Sequence, residues 1–289
     1  MVCPAVHVCT CLHQAGLRLS AAHVDSPRLS AEVLLAFLLD VDRLWLMTHP
    51  QAPLLPKQVE RFDALLARRA RGEPVAYLTG QKEFFGINLQ VSPAVLIPRP
   101  ETEVIVHTAL DLLPAEASLR FVDLGTGSGA LGLAFASVFK NSHGQLTDVC
   151  PQALEVAQKN ICALELQTRI TCLCADMLSC LRSQCVDVVL ANPPYVGTSR
   201  FWAMSPEVRA YEPALALWGG VRGWEFPCRV LWQSEGLLPS GGWLFMEIEE
   251  EQAPVLEHWL QVSGSRAWGE FRVIQDGSGL DRVVALQRV

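Results

Sequence analysis

Residues 192–195 of this 289-residue chain read Asn192-Pro193-Pro194-Tyr195, directly after the apolar run Val186-Asp187-Val188-Val189-Leu190-Ala191. That tetrapeptide at a strand end answers a particular chemical difficulty, which is making a planar nitrogen attack an electrophile. The lone pair of an amide or exocyclic amine is delocalised, so such a nitrogen is a poor nucleophile at neutral pH. A site that accepts hydrogen bonds from both N–H groups holds the nitrogen with its out-of-plane face toward the electrophile. Asn192 offers a side-chain carbonyl for one of them. The Pro193 carbonyl offers a second acceptor, and the two prolines restrict φ and hold that carbonyl still. Tyr195 adds an aromatic face on which a flat target can lie. A plain turn after a strand is the other reading of Asn-Pro-Pro.

Upstream, Phe121-Val122-Asp123-Leu124 is a short apolar strand that runs into Gly125-Thr126-Gly127-Ser128-Gly129, and the helix-like run Ala130–Val138 follows. Glycines there let the backbone approach a ligand and turn with positive φ. The first βα turn of a doubly wound sheet is where nucleotide-like ligands dock. The spacing is not the dinucleotide fingerprint, whose last gap holds two residues. Asp123, just before the glycines, suits a cationic, amine-bearing ligand better than a pyrophosphate. Asp148 ends a second short strand, where a carboxylate can accept both ribose hydroxyls. Asp176 closes a third and can accept a base amino group. Each aspartate alone reads equally as a helix cap. Taken with Asn192, the set Asp123, Gly125, Thr126, Gly127, Gly129, Asp148 and Asp176 reads as an S-adenosylmethionine site.

Positioning these groups takes alternating elements. From Leu119 the pattern gives strands over 119–124, 144–148, 169–175 and 186–191, and helices over 130–139 and 151–164; such alternation argues for a parallel sheet covered on both faces. Phe271–Gln275 and Val283–Gln287 flank Asp276-Gly277-Ser278-Gly279, so the last strands are expected to be antiparallel. Residues 1–80 read as a small helical domain, with a helix from Pro56 through Arg71 stopped by Gly72-Glu73-Pro74. Residues 81–100 read as a β-hairpin linker, with arms at 83–85 and 89–97, and residues 101–289 as the catalytic domain. Residues 197–215 look like a long irregular excursion, of the kind that is functional or mobile.

With those motifs in view, the chain resembles the class I methyltransferases. More narrowly, it resembles the protein-(glutamine-N5) methyltransferase family, called PrmC or HemK, which modifies peptide chain release factors. The resemblance runs through Arg71–Gly80, Glu83-Phe84-Phe85-Gly86, Leu96–Glu103, the glycine turn, Asn192–Tyr195 and Tyr211-Glu212-Pro213-Ala214-Leu215. It departs at Glu249-Glu250-Glu251, where the family usually has glycine first, and at Gly223-Trp224-Glu225. It implies an α/β fold, a doubly wound, mostly parallel seven-stranded sheet with an antiparallel C-terminal hairpin, plus a small N-terminal helical domain. It also implies transfer of a methyl group from S-adenosylmethionine, leaving S-adenosylhomocysteine, to the glutamine of a Gly-Gly-Gln loop admitted between the two domains. Asn192, Pro193 and Tyr195 would be catalytic, and Asn192, Pro193, Pro194, Tyr195, Arg99 and Glu103 would meet the substrate. An ion pair between Arg99 and Glu103 is the alternative for those last two.

Composition sets limits. Half the residues are apolar, charged residues make up 18%, and the net charge is −7 with no long Lys/Arg block. Enzymes that hold nucleic acid carry a basic footprint, so a protein substrate is favoured over direct nucleic-acid binding. Arg68-Arg69-Ala70-Arg71 is the one local basic run, and it reads either as a patch or as a helix end complementing its dipole. No apolar stretch is long enough to span a bilayer. The ten cysteines, Cys3, Cys9, Cys11, Cys150, Cys162, Cys172, Cys174, Cys180, Cys185 and Cys228, lack zinc-like spacing. Most of them read as small buried residues in a reducing compartment, with Cys172 and Cys174 on one packed strand face. No metal site, no leader peptide, a cytoplasmic location and a monomeric state are the expectations. Two rival functions remain: an adenine-N6 or guanine-N2 nucleic-acid methyltransferase using the same tetrapeptide on a flipped base, and a non-catalytic adapter that keeps the fold.

Overall fold

A computed structural model describes residues 6–178, 181 and 183–289, so Cys3 and Cys180 lie outside the described residues. The chain divides into two compact units, one of residues up to Gln81 joined by Pro206–Tyr211, the other of Lys82–Ser205 and Glu212–Val289.

The first unit is built from helices Val8–Ala21, Pro27–Leu39, Arg43–Thr48, Pro56–Arg69 and Val75–Thr79, with strands β1 (Val6–His7) and β2 (Pro53–Leu54) paired antiparallel. Prolines open two of these helices, where a missing N–H costs nothing. The Pro56 helix ends at Arg69, just short of the expected Arg71, and Gly72 follows at φ +95°. Leu19, Leu34, Leu35 and Phe62 are fully buried at its centre. The arginine run is not a basic patch. Arg69 is 4% exposed, its guanidinium donates to Glu207 at 2.9 Å and to the Glu73 carbonyl at 3.1 Å, and Arg68 is paired with Glu73.

Beginning at Gln81, which belongs to the first unit, β3 (Gln81–Phe84) and β4 (Ile87–Gln90) make the hairpin. Its turn is Phe85-Gly86, both at positive φ. The second arm stops at Gln90 rather than running to Ile97, because Pro93 cannot continue a hydrogen-bonded strand. The central sheet has seven strands: β5 (Arg120–Leu124), β6 (His143–Asp148), β7 (Ile170–Cys174), β8 (Val188–Ala191), β9 (Trp243–Glu247), β10 (Trp268–Gln275) and β11 (Asp281–Arg288), in the order β10-β11-β9-β8-β5-β6-β7. The five strands β5 to β9 run parallel, and β11 is antiparallel to β9 and to β10.

Side chains alternate between two cores, as strand geometry requires. Phe121, Val188, Leu190 and Phe245 pack with helices Glu103–Leu112, Ala130–Val138 and Pro151–Ala163; Val122, Val189, Ala191 and Met246 pack on the other face with Glu225–Leu237 and Ala253–Ser263. Residues 197–215 are more regular than the sequence implied, containing helices Thr198–Ala203 and Pro206–Tyr211 and the short 3-10 turn Ala214–Ala216. Among the eight described cysteines, all free, only Cys11 and Cys228 are buried. Cys174 is exposed because β7 is an edge strand, so Cys172 and Cys174 do not share a packed face.

Candidate active site

The carboxyl ends of β5, β6, β7 and β8 meet at a cleft, where the strand order reverses about β5. This is the position at which open α/β sheets take ligands. Its wall includes Asp123, Gly125, Thr126, Gly127, Asp148, Asp176, Asn192, Pro194 and Arg99, with apolar surface from Leu124, Val149, Met177 and Phe226. Gly129, Pro193, Tyr195 and Glu103 do not line it. Gly129 instead begins helix Ala130–Val138 at φ +86°, where a Cβ would fall 2.9 Å from Leu133. Glu103 accepts the Phe85 N–H at 2.9 Å. No Arg99–Glu103 ion pair is present: Arg99 is paired with Glu212, which is 6% exposed and also accepts the Ile97 N–H at 3.3 Å.

The carboxylates differ in state. Asp123 is buried, and its Oδ2 accepts the Thr126 hydroxyl and the Gly132 N–H. Burial pushes its pKa up to about 7, against those two hydrogen bonds, because removal from water penalises the charged form. Asp148 already uses both oxygens, Oδ2 on the Gly127 N–H and Oδ1 on the Cys150 N–H, each at 2.9 Å. This fixes the carboxylate beside the glycine turn and leaves each oxygen a second lone pair. Asp176 is exposed at the rim and paired with Arg229 at 2.8 Å.

Asn192 is half-buried, and its Nδ2 donates to the Thr102 hydroxyl at 3.0 Å. The carbonyl end of the same amide is thereby the free one. The Tyr195 phenol donates to Glu247 at 2.8 Å, and its pKa is raised well above 10 by burial and by that carboxylate. Glu247, at the end of β9, is 1% exposed. The backbone after Asn192 is held from outside: Gln252 Nε2 donates to the Tyr195 carbonyl at 3.0 Å and to the Gly223 carbonyl at 3.2 Å. At Gly219 a Cβ would fall 2.5 Å from the Pro194 oxygen.

Sequence reasoning passed over Thr102, Asn160, Gln252 and Glu247. Asn160 is buried mid-helix, donates to the Ser128 and Gln90 carbonyls at 2.8 and 3.0 Å and accepts the Gln90 N–H at 2.7 Å. A polar residue at an apolar position of the helix Pro151–Ala163 was the available signal. Among the described residues no cluster of His, Cys, Asp or Glu is arranged for a metal ion, and no helix is long and apolar enough to cross a membrane.

The donor set suits a group that is cationic, carries a diol and has a flat apolar end: carboxylates at Asp123 and Asp148, a backbone turn open to close approach, and apolar walls. This fold and this cleft define a class I, S-adenosylmethionine-dependent methyltransferase. Two family models match, the PrmC N-terminal domain over residues 10–80 and the methyltransferase small domain over residues 105–203. The release factor glutamine methyltransferase of Koribacter versatilis is 40% identical over 92% of this chain and 93% of its own length. That of Moorella thermoacetica is 40% identical over 94% and 95%. The chain belongs to the release factor glutamine methyltransferase family. Among solved structures, the hMettl16 catalytic domain in complex with a MAT2A 3′UTR hairpin superimposes with a TM-score of 0.56 at 16% identity, covering 82% of this chain and 84% of that one. A T. thermophilus 16S rRNA methyltransferase in complex with AdoMet and guanosine gives 0.52 at 16% identity, covering 72% and 50%. At those identities the likeness is one of fold.

Proposed function

We infer that this protein methylates the side-chain amide nitrogen, N5, of the glutamine in the Gly-Gly-Gln loop of a peptide chain release factor. The observation that carries the reading is the Asn192 amide on the cleft wall, tied by its nitrogen to Thr102, so that its carbonyl is the end available to an incoming N–H. S-adenosylmethionine, when bound, supplies a methyl group on a sulfonium sulfur. Asp148 would accept the ribose hydroxyls, Asp123 the cationic amine and Asp176 the base amino group. Gly125 and Gly127 would let the backbone come close. Asn192 and the Pro193 carbonyl would then take the two N–H bonds of the glutamine amide. This fixes its nitrogen in line with the methyl group, and proximity and orientation supply most of the rate. Arg99, locked to Glu212, would shape the wall beside the substrate rather than bind it as a free cation. The net charge of −7 fits a protein partner, and the same reading has the chain act as a monomer in the cytoplasm.

Incubation with labelled S-adenosylmethionine and, in separate reactions, a release factor, duplex DNA and ribosomal RNA tests this directly. The release factor is expected to take the label, and a factor whose Gly-Gly-Gln glutamine is replaced is expected to remain unlabelled. Label on either nucleic acid with none on the factor refutes the assignment.

Asp148→Ala removes the acceptor for two hydroxyls and also frees the Gly127 and Cys150 N–H groups. Charge-assisted hydrogen bonds contribute about 1.5–3 kcal/mol each, so donor affinity measured by calorimetry is expected to fall at least about tenfold. An unchanged dissociation constant would remove Asp148 from the ribose.

A further inference from the structure

Gln252 does not line the cleft, yet it is 4% exposed and every polar atom of its side chain is engaged. It follows the acidic turn Glu249-Glu250-Glu251 and caps the helix Ala253–Ser263. Its backbone N–H donates to the Glu249 carbonyl at 2.9 Å, and its side-chain Oε1 accepts the Glu249 N–H at 3.2 Å. That second bond settles which end of the amide is oxygen. The NH2 group is left for two backbone carbonyls, Tyr195 at 3.0 Å and Gly223 at 3.2 Å. These carbonyls belong to segments pressed together. The Val196 N–H donates to the Leu217 carbonyl at 3.0 Å, the Gly219 N–H to the Val196 carbonyl at 2.9 Å, and a Cβ on Gly223 would fall 2.4 Å from the Tyr195 oxygen.

We propose that Gln252 is a positioning residue, whose amide bridges Tyr195 to Gly223 and so fixes the Pro193 carbonyl that takes one N–H of the substrate amide. Pro193 and Pro194 have no N–H of their own, so neither can be tied down by donating. The backbone there is held from its two ends, by β8 before Asn192 and by the bonds at Tyr195 and Val196 after it. Both proline rings restrict φ. A shift at Tyr195 is therefore carried back to the Pro193 carbonyl rather than absorbed on the way. Two carbonyl oxygens aimed at one point repel each other, and a buried carbonyl needs a donor. A carboxamide is the neutral side chain with two protons on a single nitrogen, and it satisfies both at once. Without it the Gly223 segment and Tyr195 must part to find other donors. No proton is moved and no covalent step is added.

The turn that carries Gln252 is also where the chain departs from the family pattern, and it makes a second tie to the same region. Glu249 pairs at 3.0 Å with Arg200, on the helix Thr198–Ala203 that follows the tetrapeptide. The Arg200 side chain is 51% exposed, and exposed ion pairs contribute little. The amide bridge is accordingly the fastening that matters to the rate, and the ion pair serves as its control.

The inference rests on the glutamine-methylating reading, and the experiment keeps the two apart. Single-turnover methylation of a release factor at saturating S-adenosylmethionine is measured for the wild type, Gln252→Met, Gln252→Glu and Glu249→Gln, with donor affinity followed by calorimetry. Gln252→Met keeps the length and removes both donated bonds. It is expected to slow transfer about tenfold at saturating factor, with half-saturation by the factor and donor affinity each within about twofold. Gln252→Glu sets a carboxylate against two carbonyls and should be slower still. Glu249→Gln keeps the backbone N–H that orients the amide and should stay within about twofold of the wild type. In an Asn192→Ala background Gln252→Met should cost about threefold or less, because both changes loosen the same substrate amide and interacting residues are non-additive. A Gln252→Met protein with the wild-type rate overturns the proposal. So does a full tenfold loss in the Asn192→Ala background, a loss of donor affinity that matches the loss of rate, or a Glu249→Gln protein as slow as Gln252→Met. A wild-type protein that binds donor yet leaves the release factor unmethylated overturns the functional reading instead.

Discussion

Replacing Asn192 with alanine is expected to cut methyl transfer to the release factor by at least about a hundredfold, roughly 2.7 kcal/mol in the barrier, with the fold intact. A carboxamide has no useful pKa near neutrality, so Asn192 cannot act as a general base. The glutamine nitrogen need not lose its proton before attack, because the proton can leave once positive charge has developed. What alanine removes is an acceptor whose direction is set by the 3.0 Å bond from Nδ2 to Thr102. Asn192→Asp sharpens the test. It keeps an acceptor of the same shape but adds a negative charge near the sulfonium, and it can no longer donate to Thr102. If orientation dominates, the aspartate variant retains more activity than the alanine variant in single-turnover assays. An alanine variant nearly as fast as the wild type would defeat the mechanism while leaving the family membership untouched.

Gly219→Ala is expected to damage catalysis from outside the cleft. A Cβ there would fall 2.5 Å from the Pro194 oxygen, 2.7 Å from the Tyr195 Cα and 2.8 Å from the Gly223 oxygen. All three are backbone atoms, so no side chain can swing aside. The tetrapeptide must move by several tenths of an ångström, and misplacement on the order of 1 Å can cost about a hundredfold. We expect a rate loss on the order of tenfold to a hundredfold. Donor affinity should change less than about twofold, since Gly219 is not on the cleft wall. Equal rates for Gly219→Ala and wild type in single-turnover assays would show that the loop has slack the packing does not reveal.

Local chemistry was legible in the sequence wherever it depended on residues close together in the chain. The short apolar strands, the glycine turn with Gly125 and Gly127 at positive φ, and Asn192 at the end of β8 follow from short-range rules. Partners brought together from distant positions were not legible. Nothing in the run Pro98–Glu103 tells that Arg99 is taken by Glu212, or that Thr102 rather than Glu103 reaches Asn192. Tyr195 illustrates the limit: its type suggested a stacking face, but the ring's hydroxyl is drawn away to Glu247 by a contact that exists only after β9 is laid beside β8. The cysteines misled for a related reason. Apolar character predicts burial on average, and edge position in the sheet, which is a property of the topology, decided Cys174.

The ion pair between buried Arg69 and half-buried Glu207 bears on how this protein can be taken apart. Its members are far apart in sequence, yet both belong to the helical unit. A fragment cut after Gln81 would therefore keep the guanidinium and lose its carboxylate. Leaving a buried guanidinium without its carboxylate is unfavourable, and a small helical unit has little stability to spare. The helical unit is accordingly no cassette to be excised, grafted or exchanged between relatives at a single junction. Swapping it intact requires carrying Pro206–Tyr211 along, and recombination that respects only the linear boundary would select against itself.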